Sequence, residues 1–155
     1  MIFEAGQRGG FDLRRHENIM VAGAVPKPRD IFENTRVLVV PSVWEEPSGR
    51  VVAEALVNGV PPVVSDRGGL SESCNGAGFV LPLPSDLTIQ TRQPVTAKAV
   101  EPWLELLTKL CFDESFYADA VARTREAARM YVRETLAPKY VNFFVETLSA
   151  ETRTR

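Results

Sequence analysis

The chain has 155 residues, 45% of them hydrophobic and 25% charged, with a formal net charge of -2. That suits one globular domain and excludes a generic basic nucleic-acid surface. Two cysteines and one histidine are too few for a disulfide framework or a zinc centre. No apolar run approaches the ~20 residues that cross a bilayer, and "MIFEAGQRGG" has neither region of a signal peptide. The expectation is reduced thiols and a cytoplasmic protein, or one at the inner membrane face.

Residues 1–16 are weakly patterned and read as an irregular segment, with His16 an exposed loop residue. "NIMVAGAV" (18–25) is a short apolar run ending near Pro26, as in a buried strand. "PRDIFENTR" (28–36) predicts a short helix with Pro28 near its start and Ile31 and Phe32 on its apolar side. "RVLVVP" (36–41) is a β-branched run stopped by Pro41, a second strand. "SGRVVAEALVNG" (48–59) predicts a helix that Ser48 can cap and Asn58-Gly59 can end. "PPVVSD" (61–66) and "GFVLPL" (78–83) are further strands. "NGAGF" (75–79) precedes a strand instead of following one, so its Gly-x-Gly reads as a turn and not as a dinucleotide fingerprint.

These strands lack polar alternation and read as buried on both faces, in a parallel sheet covered by helices. The fold class is therefore α/β, an open Rossmann-like sheet over residues 17–95. Its last stretch, "PSDLTIQTRQPV", is a proline-punctuated connector. Residues 96–151 predict helices alone. "TAKAVEPWLELLTKLCFD" (96–113) is capped by Thr96, with an apolar stripe through Trp103, Leu106, Leu107 and Leu110. "ESFYADAVARTREAARMYVRE" (114–134) follows. "APKYVNFFVETLSAE" (137–151) carries an apolar face through Tyr140, Phe143, Phe144, Val145 and Leu148. Residues 152–155 are expected to fray.

Ligands of open α/β sheets bind beyond the carboxyl ends of the strands. There "PSVWEEPSG" leads into the helix that begins near Ser48. A helix start offers free N–H groups and a partial positive charge. Gly49 lets an anion approach the N–H groups of Gly49, Arg50 and Val51. Glu46 and Glu54 bracket that turn, with seven residues between them. Two carboxylates beside an anion-binding helix start suit a polyol phosphate, its hydroxyls to the acids and its phosphate to the backbone. The competing reading is that Arg50 and Glu54 form an i, i+4 surface pair and that Glu45 and Glu46 are solvated loop acids. In "DRGGLSES", Gly68-Gly69 either admits a ligand or is a plain βα turn. Trp44 is either a packing residue or a sugar-facing aromatic.

The stretch "VPSVWEEPSGRVVAEALVNGVPPVVSDRGGLSE" resembles the donor-binding half of the retaining group 1 glycosyltransferases of the B fold. The matching residues are Pro41-Ser42, Glu46, Gly49, Glu54-Ala55, Gly59, Pro61 or Pro62 with Val63-Val64, Gly68-Gly69 and Glu72. The resemblance implies that Glu54 binds the ribose hydroxyls of a nucleoside diphosphate and that Glu46 contacts the donor sugar's hydroxyls and is the catalytic residue. The Ser48 turn and the N–H groups of Gly49, Arg50 and Val51 would hold the diphosphate or the sugar. Val25 would line the base site, and Gly68 and Gly69 would form a loop near the donor. It implies a metal-independent reaction with no cofactor: hexose transfer with retention from a nucleoside diphosphate sugar to a saccharide or lipid-linked acceptor, as in polysaccharide biosynthesis. Pro47-Ser48 departs from the family's usual Gly-Phe, which leaves the donor sugar open.

The family carries a whole acceptor-binding domain, and two further strands with a basic residue, ahead of this region. The resemblance therefore implies a truncated C-terminal portion, weak or inactive alone. It would have a companion chain or a homodimer partner at its sheet edge and last helix. Two other readings are a non-catalytic partner-binding subunit or inactive remnant, and a B-fold sugar-nucleotide epimerase.

Overall fold

The computed structural model describes residues 16–20 and 27–153. Val25 and most of the strand expected at 18–25 lie outside the described residues. The elements run α1 (Pro28–Phe32), β1 (Leu38–Val40), α2 (Arg50–Val57), β2 (Pro62–Ser65), α3 (Leu70–Ser73), β3 (Phe79–Leu81), α4 (Ala97–Phe112) and α5 (Glu114–Ala128). A 3-10 turn (Arg129–Tyr131) and α6 (Arg133–Arg153) follow.

The three strands form a parallel sheet in the order β1-β2-β3. Val39 lies opposite Val63, and Val63 opposite Phe79. The α/β fold expected from the apolar runs is the fold found. One detail differs. Only β2 is buried along its whole length, while Val39 and Val80, at the centres of β1 and β3, are exposed. Among the described residues both are edge strands, and an edge strand has neighbours on one side only.

Successive strand residues point to opposite faces, so Val63 and Val64 enter different clusters. Val64 packs with Val52 and Leu56 of α2, Leu70 of α3, Cys74 and Ala77, and with Ala127 of α5. Val63 packs with Trp103 and Leu110 of α4 and Ala120 of α5. The sheet is thus sandwiched between helices, and α5 contributes to both layers. The stripe read from the sequence of α4 is its core face: Trp103 and Leu110 are buried, and Leu106 and Leu107 pack against them.

Helix ends follow local chemistry where the partner is local. Thr96 caps α4 by accepting from Ala99 N at 3.4 Å. Asp113 ends α4 and caps α5, accepting from Phe116 N at 3.0 Å. That amide, with the Ser115 hydroxyl, holds the Asp113 carboxyl below its ordinary value. Gly59 closes α2 with φ +74, the left-handed residue expected there. Asn75 and Gly76 also have positive φ, as the turn reading of "NGAGF" requires. The helix expected over 114–134 stops at Ala128 and passes into the 3-10 turn. The last helix starts at Arg133, before the expected 137, because Pro138 removes one hydrogen bond without ending it. It also runs through Arg153, into the tail expected to fray.

Arg36 staples the start of β1 to the helices. Its Nε donates to Leu110 O at 3.0 Å, its Nη2 pairs with Glu114 at 2.9 Å, and its guanidinium lies 3.8 Å from the Tyr117 ring centroid.

Cys74 is buried and Cys111 exposed. Burial pushes the Cys74 thiol from its ordinary 9.0 up to about 11. The raised value means that the neutral thiol belongs to the fold. Its contribution is fully present below about pH 9 and is lost as pH rises toward 11. Urea midpoints should therefore fall across that window more for the wild type than for Cys74→Ala. In native buffer an alkylating reagent should label Cys111 alone, and in urea both thiols. Equal labelling of the two native thiols would contradict the burial.

Candidate functional site

The loops at the carboxyl ends of the strands lie against one another. After β1, Pro41 ends the strand and Ser42 organises the turn. Ser42 Oγ accepts from Trp44 N at 3.2 Å and reaches Glu46 Oε1 at 3.2 Å. From β2, the buried Ser65 donates to Ser42 O at 2.6 Å, which pins this loop to the central strand.

The loop after β2 closes on the first loop. Gly69 N donates to Glu46 O at 2.7 Å, and Gly68 N donates to Glu45 Oε2 at 2.6 Å. Arg67 stands behind the turn, its Nη2 donating to Pro84 O at 2.9 Å and its Nη1 3.8 Å from Glu45. Its Nε is buried without a hydrogen-bond partner among the described residues. Gly68 has φ +54, and a Cβ there would run into the backbone of Glu45 and Glu46. Only glycine allows that approach.

The helix start differs from the sequence expectation. Gly49, not Ser48, is the N-cap of α2, and no side chain caps it locally. Ser48 is exposed. Gly49 is buried, and its N–H already has an acceptor, Ser73 Oγ of α3 at 2.9 Å. Its lack of a side chain is demanded by packing, since a Cβ would meet Leu70 Cδ2 at 3.0 Å and Ser73 Cβ at 3.2 Å. Arg50 N donates to Ser48 O at 3.1 Å. Val51 N has no acceptor among the described residues, so it is the open donor of this turn.

Of the residues singled out in the sequence, Glu46, Gly49, Gly68 and Gly69 meet at this junction of loops. Glu54 lies one turn into α2, partly exposed. It forms the i, i+4 pair with Arg50, Nε to Oε1 at 3.4 Å. Arg50 and Val51 are exposed, and Val25 lies outside the described residues. Trp44 is exposed, not packed. Three residues were missed. Glu45 looked like a solvated acid but binds the Gly68 amide. Ser73 sits four residues after Gly69, a spacing that places it back over the glycine turn on a helix. Tyr131 gives no local signal, yet its hydroxyl donates to Ser73 O at 2.7 Å. Burial, and then the neighbouring Cys74, raise the Tyr131 pKa, which keeps this hydroxyl a donor.

Cavities among the described residues lie elsewhere. One of about 520 Å³ has an apolar lining from Val39, Leu83 and Trp103, and one of about 1190 Å³ lies along α4. Neither is lined by Glu46, Gly49 or Glu54. Among the described residues no group of three His, Cys, Asp or Glu could hold a metal ion, and no helix is long and apolar enough to cross a membrane.

A parallel sheet under helices, with its glycine turns and acids gathered at the carboxyl ends of the strands, defines a Rossmann-like α/β domain. Residues 12–86 match the family model described as glycosyl transferases group 1, which supports a domain of this family over that segment. The match spans β1 to β3 and takes in every site residue singled out in the sequence. No curated protein and no solved structure matched the chain.

Proposed function

We propose that the junction of the β1–α2 and β2–α3 loops binds the nucleoside diphosphate sugar of a glycosyltransferase. The observation that carries this reading is the family match over residues 12–86, with Glu46 and Glu54 bracketing the start of α2 inside it. Glu54 takes the ribose hydroxyls, exchanging its exposed pairing with Arg50 for the ligand. Glu46 takes the hydroxyls of the sugar. Val51 N, and the guanidinium of Arg50 once Glu54 releases it, face the diphosphate. Helix-start N–H groups and basic side chains do the charge work without a metal. The whole reaction is transfer of a hexose, with retention, to a saccharide or lipid-linked acceptor held by a further domain of the B fold.

A thermal melt with UDP, GDP, ADP and their sugars tests this. One nucleotide at ~100 times its dissociation constant should add roughly 2.7 kcal/mol. Glu54→Ala removes a partly exposed pair worth about 0.5 kcal/mol or less, so the variant should melt close to the wild type but lose the ligand shift. A shift of the same size in the variant would remove Glu54 from the site, and no shift with any nucleotide would remove the site.

A partner-binding role is favoured by one observation. Phe143 and Phe144 on α6 are 61% and 59% exposed, beside exposed Tyr140 and Val141. In this second reading a companion chain or a second copy covers that face. Sedimentation over a concentration series distinguishes the second copy by its dependence on protein concentration.

A further inference from the structure

We infer that Ser73 is a positioning residue that locks the two ligand-facing loops into one unit. The inference rests on the donor-site reading for its consequence in binding, though not for its geometry. Ser73 Oγ accepts from Gly49 N at 2.9 Å and donates to Gly69 O at 2.9 Å. A hydroxyl has one proton to give, and here it has one amide to receive and one carbonyl to satisfy, so both functions are used. Gly49 opens α2. Gly69 N donates to Glu46 O. One hydroxyl therefore ties the N-cap residue of the ligand-facing helix to the same turn that holds Glu46.

The tie is braced from behind. Tyr131 OH donates to Ser73 O at 2.7 Å, so the 3-10 turn after α5 fixes the α3 residue that fixes α2. Gly49 is buried against Leu70 and Ser73, and water cannot readily replace a lost hydroxyl there. The engagement of Gly49 N also sets the donor set of the site, leaving the diphosphate to Val51 N and not to Gly49 N. Ser73 thus helps to select which amides of the helix start meet the ligand, without touching the ligand itself.

The test uses the full 155-residue chain, labelled with nitrogen-15, as wild type, Ser73→Ala, Ser73→Thr and Ser71→Ala. Ser71 is exposed on the same short helix and serves as the control. Hydrogen exchange of the Gly49 amide is read against the Leu56 amide, which reports on global opening. Ser73→Ala should speed Gly49 exchange about tenfold relative to Leu56, the ordinary worth of one hydrogen bond. Ser73→Thr, which keeps the hydroxyl, should hold it near the wild-type rate, and Ser71→Ala should leave it unmoved. Titrations with UDP, GDP and ADP should show the bound diphosphate weakened about tenfold by Ser73→Ala and not by Ser73→Thr. An unchanged Gly49 rate in Ser73→Ala overturns the inference, as does undiminished nucleotide affinity beside a loosened Gly49. A wild-type chain that binds no nucleotide counts against the donor-site reading alone, because the exchange rates are measured without ligand.

Discussion

Gly68→Ala is expected to destabilise the chain by about 2–5 kcal/mol, the sum of a conformational and an overpacking cost. Two terms add. The residue has φ +54, and an L side chain in the left-handed region costs roughly 1–2 kcal/mol. The added Cβ would then press on Glu46 O, lie 2.6 Å from Glu46 N and 2.8 Å from Glu45 C. All three atoms are backbone, so no side chain can swing aside. The loop must shift, and it carries the Gly69 N–H to Glu46 O and Gly68 N–H to Glu45 bonds with it. Gly76→Ala separates the terms. Gly76 has φ +75 but nothing within 4 Å of the added Cβ, so it should lose only the conformational ~1–2 kcal/mol. Urea unfolding of the two variants gives the difference directly. Equal losses would mean that the glycine turn does not sit against the acidic loop. The larger loss in Gly68→Ala should come with loss of any nucleotide shift, because the same contact sets the Glu46 backbone.

The fold was legible in the sequence wherever the decisive contact was local or periodic. The β-branched runs ending at Pro41 and in "PPVVSD" became adjacent parallel strands, since a run without polar alternation has to be covered on both faces. The stripe from Trp103 to Leu110 became a core face for the same reason, and Thr96 capped its helix through an amide three residues on. The misreadings share a cause. Ser48 has the right chemistry for a cap, but Gly49 N finds its acceptor 24 residues along, in Ser73. Glu45 binds an amide 23 residues away. Tyr131 reaches Ser73 from 58 residues away. Periodicity and capping rules see one element at a time, so contacts between loops at the ends of different strands stay hidden. The exposure of Val39 and Val80 was hidden likewise, because being an edge strand is a property of the sheet and not of the run. Glu46 was visible in the loop that forms the junction, yet the residues that hold that loop in place were not.

Leu56→Ala tests the layer on which the candidate site stands. Leu56 lies on α2, fully buried, in the cluster that joins α2 to Val64 of β2 and Ala127 of α5. Truncation removes a large side chain from a site enclosed by a sheet and two helices. It should cost about 2–5 kcal/mol, toward the upper end where the surroundings cannot collapse. A domain of this size has only about 5–15 kcal/mol in total, so the loss should appear as a large drop in the urea midpoint. Phe144→Ala is the counterpart. Its ring is larger but stands exposed on α6, where it touches Phe143 at 5.6 Å between centroids. Its truncation should move the midpoint by no more than about 0.5 kcal/mol. The ordering matters more than either value. If Phe144→Ala costs as much as Leu56→Ala, α6 is covered in solution and its apolar face is already an interface. If Leu56→Ala costs little, α2 is not anchored to the sheet, and neither Glu46 nor Glu54 has the rigid support that a ligand site needs.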